Sequence, residues 1–347
     1  MTQPELTEFG WDSFFQQQLT DQPAAPVVPV RVMNVHKSGL QIAGVDVDTH
    51  VAPVSNDHER VTVGDWLLFN PDTCRIIRRL DRKSLFKRRA PGTDRREQLI
   101  AANVDTLFIV SSCNQDFNEA RLERYLAIAR EAEVMAVIIL TKADLADEPQ
   151  EFVRRAARLA PGIHVEAVNS LDPDALRCLD GWLGHGQTIA LLGSSGVGKS
   201  TLSNTLLGQS DITTQAIRDD DAKGRHTTTS RKMHHLPGGA WLLDTPGMRE
   251  LRLTDVRAGL DDVFAEITEL AASCKFVDCS HEDEPGCAIR RAVDSGDIAA
   301  DRLSRWRKLV REDAYNSESI AVRRARGREL GKFYKSVIKD KQSRKGP

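Results

Sequence analysis

Eight residues near the middle of the chain, Gly193-Ser-Ser-Gly-Val-Gly-Lys-Ser200, carry glycines, a lysine and a hydroxyl at the spacing of a phosphate cradle. Gly193, Gly196 and Gly198 let the backbone turn, so that N–H groups through Ser194, Ser195 and Val197 can point inward at phosphate oxygens. Lys199 would reach the β- and γ-phosphates as binding and catalytic cation. The Ser200 hydroxyl would ligate Mg²⁺, and Thr201 continues the first turn of the helix that follows. The stretch lies between the apolar run "TIALL" and the helical "STLSNTLLG", the strand–loop–helix context this motif requires.

A second element, Asp244-Thr-Pro-Gly247, ends the apolar run "AWLLDTPG" about 45 residues later. Asp244 there can hold Mg²⁺ through water, and the Gly247 N–H can meet a γ-phosphate. A third element, "TKAD", precedes both. A carboxylate coplanar with guanine accepts hydrogen bonds from N1–H and N2–H₂ together, and adenine lacks that donor pair. Asp144 is the candidate reader, the aliphatic stem of Lys142 would cover the base, and Thr141 ends the strand "AVIIL". "VNS" at 168–170 ends the next apolar run, and Asn169 and Ser170 can supply backbone contacts to guanine O6.

The last constellation is Cys274-x₄-Cys279-x-His281-x₅-Cys287. Three thiolates and one imidazole suit tetrahedral Zn²⁺, and a Cys₃His set with no vacant position is structural rather than catalytic. The surrounding "CKFVDCSHEDEPGC" is too polar to fold unaided. Cys74, Cys113 and Cys178 are scattered and read as buried free thiols.

These residues need a frame. From about 98 to 255, apolar runs such as "VDTLFIVSS" and "EVMAVIILTK" alternate with helical stretches, which predicts a mostly parallel sheet covered on both faces. Every nucleotide motif ends one of these runs, where ligands of such sheets bind. Ahead of it, short β-branched runs over 25–90 predict a small antiparallel barrel of OB type. Residues 1–24 read as a mobile arm, 91–255 as the α/β domain, and 256–347 as a helical zinc-binding domain with a basic tail.

The composition, 40 % hydrophobic and 28 % charged, is that of a globular protein. No apolar run approaches the roughly 20 residues of a membrane span, and the acidic, polar start is unlike a secretory signal. A cytoplasmic monomer is the expectation. The net charge of −2 hides two basic segments. Residues 297–347 hold 15 Lys/Arg against 7 Asp/Glu, and 75–97 hold 10 against 3. With few aromatics, they suit backbone and shape recognition of structured RNA. Arg88, Arg89, Arg323 and Arg324 are candidate contacts that no motif singles out.

The base reader and 168–170 thus precede the phosphate cradle, a Thr-rich loop at 224–229 and D-x-x-G. A sheet can form the same pocket if the usual ends are joined and the chain is opened elsewhere: a circularly permuted GTPase. With "GRHTTT", "DTPGMREL" and the Cys/His pattern, the chain over roughly 25–310 resembles the RsgA (YjeQ/YloQ) family of ribosome-assembly GTPases. That resemblance implies an OB domain, a permuted GTPase domain and a zinc domain. It implies GTP hydrolysis in late maturation of the small ribosomal subunit, stimulated by the subunit, with rRNA as a binding partner. It also points to His226 as the water-orienting residue and Thr228, or its neighbour Thr229, as the switch ligand to Mg²⁺. Two positions depart from GTPases at large. Thr141 stands where Asn is usual, so its hydroxyl is expected to replace part of the Asn tie to the phosphate loop. Met248 stands where many GTPases carry a water-orienting Gln. Met248 favours one rival, a non-hydrolysing GTP-bound RNA-binding switch; Asp144 argues against another, a P-loop ATPase.

Overall fold

The alternation of β-branched and polar residues from Val28 onward folds as five antiparallel strands: β1 (Val28–His36), β2 (Gly39–Gly44), β3 (Val47–Val51), β4 (Trp66–Asn70) and β5 (Arg75–Arg79). The computed structural model describes residues 5–19, 26–36, 38–52, 60–89, 97–208, 231–244, 248, 251 and 256–317. The five strands run in the order β3-β2-β1-β4-β5 around a core of Val30, Val32, Leu40, Ile42, Val51, Leu67 and Phe69. A hairpin of β6 (Leu85–Arg89) and β7 (Glu97–Ala102) leads out of them.

The strand–helix rhythm then delivers β8 (Thr106–Ser112), α2 (Glu119–Glu131), β9 (Met135–Thr141), α3 (Pro149–Ala157), β10 (His164–Ala167), β11 (Thr188–Gly193), α4 (Lys199–Leu206), β12 (Arg231–His235) and β13 (Trp241–Asp244). β10-β9-β8-β11-β13 lie side by side and parallel. Successive strand residues face opposite sides, and both sides are buried. Leu107, Ile109, Ile138, Leu140, Ala190 and Leu192 join one core, while Phe108, Val110, Val137, Ile139 and Ile189 join the other.

β12 runs antiparallel to β13 and pairs on its other edge with β1, which fuses both regions into one 11-stranded sheet. No local sequence pattern marks this junction. Arg31 on β1 is buried beneath it and donates to the carbonyls of Phe9, Gly64 and Asn103 and to the Thr188 hydroxyl. Burial lowers its pKa to about 10, against the opposing charges of Asp105 and Asp65.

The N-terminal segment differs from the expected mobile arm. Residues 6–19 hold short helical turns, including α1 (Ser13–Gln16); Trp11, just before α1, and Phe15 within it are buried against Trp66. Trp11 meets the Trp66 ring edge-on at 4.8 Å. Trp241 closes the contact from the other side, stacking on Phe9 and donating its indole N–H to the Glu8 carbonyl at 2.7 Å. The aromatic spacing in "FGWDSFF" is therefore a docking face. Cys113 is buried as expected, but Cys74 and Cys178 are exposed. Cys74 occupies the turn between β4 and β5 with φ 52°, not a strand.

Beyond the sheet come α5 (Arg257–Val263), α6 (Ala265–Ala271), α7 (Ala288–Asp294) and α8 (Ala300–Ser317). α5 lies backbone-close on α2: a Cβ at Gly259 would stand 2.1 Å from the Ala127 carbonyl oxygen. α8 is bound to α2 through Glu123, which is fully buried and accepts from Arg302 at 2.8 Å and Arg305 at 2.9 Å. Burial pushes the Glu123 carboxyl up, and Arg305 and Arg302 oppose it.

Candidate functional site

Parallel strands end on one edge, so the register fixes where the motifs meet. Gly193 is opposite Val110, and Thr141 is opposite Ser112 on the same central strand. The phosphate loop and the base-reader loop are thus two strands apart, roughly 10 Å at about 4.8 Å per strand. β13 ends on the far side of β11, with Leu243 opposite Ala190, so Asp244 follows at the phosphate end.

The loops are also bonded to one another. The Thr141 hydroxyl lies 2.6 Å from the Val197 carbonyl oxygen and 3.1 Å from that of Ser111, so its single proton goes to the phosphate loop. Gly198 packs so close to Thr141 that a Cβ there would be 3.1 Å from the hydroxyl. Lys142 adopts a left-handed backbone, φ 57°, and its ammonium donates to the Gly196 carbonyl at 3.0 Å. A left-handed non-glycine residue costs about 1 kcal/mol, which these contacts offset. The 168–170 loop joins the same assembly. The Ala143 N–H donates to the Val168 carbonyl, and Thr205 on α4 donates to that of Ser170 at 2.6 Å. Asn169 accepts from the Leu171 N–H at 3.0 Å.

Within the phosphate loop, Gly196 and Gly198 have φ 81° and 94°, conformations that favour glycine. Gly193 is required for a different reason: a Cβ would stand 2.3 Å from the Val110 carbonyl oxygen. Lys199 is buried, donating to the Gly193 carbonyl at 2.8 Å and to that of Ser194. Ser195 is exposed, Ser200 and Thr201 are half-buried, and Asp144 is exposed on a short helical turn, Ala143–Leu145. The Ser170 hydroxyl is buried with no partner among the described residues. The residues present therefore fit a nucleotide with its metal: a glycine-rich loop leading into α4, a buried cation at Lys199, a half-buried hydroxyl at Ser200 and an exposed carboxylate at Asp144. Mg²⁺ would be held by Ser200 and would neutralise phosphate charge. His226, Thr228, Thr229 and Gly247 lie outside the described residues, as do Arg323 and Arg324. Met248 is buried, 1 % exposed, so its side chain is core. No motif singles out a residue on β8, although its end, Ser111 and Ser112, lies between the two loops; the polar "SSCNQD" after an apolar run is the signal that could have found it.

In the C-terminal region, one ligand atom each from Cys274, Cys279, His281 and Cys287 lie within 4.8 Å of one another. His281 Nδ1 is 3.6 Å from both Cys274 Sγ and Cys287 Sγ, and the two sulfurs are 3.9 Å apart. A tetrahedron with metal–sulfur about 2.3 Å and metal–nitrogen about 2.0 Å has edges of roughly 3.8 Å and 3.5 Å, so the set fits a metal ion. Burial opposes ionisation of Cys274, yet N–H groups of Ala288 and Ile289 and the neighbouring thiols bring its pKa below the usual thiol value. Burial, with Arg307 nearby, lowers the His281 pKa and favours the neutral imidazole a metal needs.

A parallel sheet in which the Thr141–Asp144 loop precedes the glycine-rich loop, with the two loops bonded to each other beside one central strand, has the arrangement of a circularly permuted P-loop GTPase. The sequence model of the RsgA GTPase family matches residues 79–254. A protein of Vibrio vulnificus named small ribosomal subunit biogenesis GTPase RsgA 2 is 48 % identical over 98 % of this chain and 97 % of its own. One of Mesorhizobium japonicum named small ribosomal subunit biogenesis GTPase RsgA is 51 % identical over 90 % and 91 %. The crystal structure of YjeQ from Thermotoga maritima superposes with TM-score 0.60 at 24 % identity, covering 82 % of this chain and 97 % of that one. YloQ, described as a circularly permuted GTPase, superposes with TM-score 0.57 at 20 % identity, covering 85 % and 97 %. The chain belongs to the RsgA GTPase family and is a GTP hydrolase.

Proposed function

We propose that this GTPase acts in late maturation of the small ribosomal subunit, binding its rRNA and hydrolysing GTP when the subunit is engaged. The relatives' names supply the subunit. The observation that carries the nucleotide reading is the pair of bonds from Thr141 and Lys142 to the Val197 and Gly196 carbonyls, which make two sequence-distant loops one receptacle. In this reading Asp144 takes the guanine edge, Asn169 and Ser170 line the base, and Gly193 through Thr201 hold the phosphates. Asp244 and Gly247 complete the metal and γ-phosphate side, with Thr228 and Ser200 on Mg²⁺. Zn²⁺ is the ion assigned to Cys274, Cys279, His281 and Cys287. The antiparallel strand order β3-β2-β1-β4-β5 supports an OB-type barrel at 25–90, ahead of the GTPase domain at 91–255 and the zinc domain at 256–347. No described helix is long and apolar enough to cross a membrane, which accords with a cytoplasmic site of action.

Buried Met248 cannot orient water, so the task falls to another polar group, His226. The test is GTP hydrolysis measured with purified small subunits, large subunits and neither. Stimulation by small subunits alone is expected. His226→Ala should lower the stimulated rate by at least about 100-fold while GTP binding persists. Equal stimulation by both subunits would refute the partner, and full turnover in the variant would remove His226 from the chemistry.

A further inference from the structure

The N-terminal segment holds two bodies at once. Its first half meets the GTPase sheet. Phe9 stacks on Trp241 of β13 with ring centroids 5.8 Å apart, and the Glu8 carbonyl accepts the Trp241 indole N–H. Just ahead of β11, backbone lies against backbone. A Cβ on Gly10 would stand 2.5 Å from the Gly186 carbonyl oxygen, and one on Gly186 would stand 2.3 Å from that of Thr7. Both glycines have positive φ, 85° and 73°, so neither side of this contact admits a side chain. The second half belongs to the five antiparallel strands. Phe15 lies 5.7 Å from the Trp66 ring and shares a small core with Trp11, Leu68 and Leu80. Lys83 donates to the Asp12 carboxylate, Arg78 to the Gln18 carbonyl at 2.5 Å, and the Asp81 N–H to the Gln18 amide oxygen at 2.7 Å. Arg31 knots the halves together: from β1 it donates to the Phe9 carbonyl in the segment and to the Thr188 hydroxyl on β11.

We infer that residues 5–19 are a strap that clamps the antiparallel strands to the GTPase sheet, so that a load on those strands is delivered through β12 to the nucleotide loops. The clamp rests on the contacts just described; its use in subunit-stimulated hydrolysis rests on the function proposed above. Direct pairing between the two bodies is slender. β1 and β12 face each other over two pairs, Asn34–Lys232 and Val35–Arg231. Yet β12 is well placed to carry a load. It begins directly after "GRHTTTS" at 224–230 and runs beside β13, with Lys232 opposite Asp244. Rigid strands that share an edge pass displacement to one another only while that edge stays closed. The strap closes it from the side away from the ligand. Thr188 and Trp241 are the first residues of β11 and β13, whereas the nucleotide loops follow their last. Losing the strap should therefore spare GTP binding.

The test is amide hydrogen exchange on the full-length, metal-loaded chain, comparing the parent with Gly10→Ala and Phe9→Ala. Gly10→Ala wedges a methyl group into the Gly186 contact. Phe9→Ala inserts nothing and removes only the stack on Trp241. Exchange at 34–35 and 231–232 is expected to quicken at least about tenfold in both variants. Unchanged protection across β4 and β9 establishes that each body stays folded. Hydrolysis by the same variants with purified small subunits should lose at least about tenfold of its stimulation, while GTP affinity and the unstimulated rate match the parent. Unchanged exchange at the β1–β12 junction in both variants overturns the strap. Quickened exchange with undiminished stimulation overturns its part in coupling. A parent that small subunits do not stimulate refutes the proposed function, and the exchange result then decides the strap alone.

Discussion

Thr141 shows how one hydroxyl stands in for an amide. Asn at this position would offer two donors, whereas Thr offers one, and it is spent on the Val197 carbonyl at 2.6 Å. Lys142 supplies the second tie through its ammonium. Thr141→Val keeps the shape and removes the proton, leaving a loop carbonyl unpaired. A net cost near 1 kcal/mol is expected, or about fivefold weaker GTP binding by calorimetry. Unchanged affinity would mean that the hydroxyl does not hold the loop. The residue types at these positions were legible in the sequence, because cradle, base reader and Cys/His cluster each carry fixed spacing. The bonds between them were not. They depend on β8 lying between the two loops, and a hydroxyl's partner cannot be read from its type.

At the scale of elements, two devices hold the C-terminal helices. The Cys/His loop has little apolar content, so its structure should depend on the metal. One zinc per chain is expected by elemental analysis, and chelation should unfold the segment around 274–317 before the sheet, read as early loss of amide protection there. A metal-free chain with the same protection pattern would contradict this. The second device is Glu123, fully buried between Arg302 and Arg305. Glu123→Gln removes the buried anion that Arg302 and Arg305 share, while Arg302 keeps Glu266 and Arg305 keeps Asp301 and Glu119, so unfolding in urea should show a loss of about 2 kcal/mol. A shift below a few tenths would show the pair to be dispensable. The parallel strands announced themselves through unbroken apolar runs buried on both faces. The N-terminal turns did not, because "FGWDSFF" resembles a solvated amphipathic segment until Trp66 and Trp241 are brought against it. The β1–β12 pairing was equally hidden, since edge pairing between distant strands leaves no local pattern.

At the scale of the whole molecule, the inverted motif order is reconciled by the sheet. Strand order β10-β9-β8-β11-β13 is indifferent to which loop the ribosome translates first. Opening the chain elsewhere sends the segment after β13 directly into α5 and the Cys/His region, while β12 is tied to the N-terminal antiparallel strands through β1. All of it presupposes that Asp144 and Lys199 serve opposite ends of a single guanine nucleotide. The direct measurement is nucleotide preference in Asp144→Asn. Xanthine replaces the guanine N2–H₂ donor with a carbonyl, and an Asn amide matches that edge by donating where Asp can only accept. Hydrolysis and binding should switch from GTP to XTP, with loss of at least about 100-fold in GTP affinity. A variant that still prefers GTP as the parent does would mean that Asp144 reads no base and that the two loops do not share a ligand.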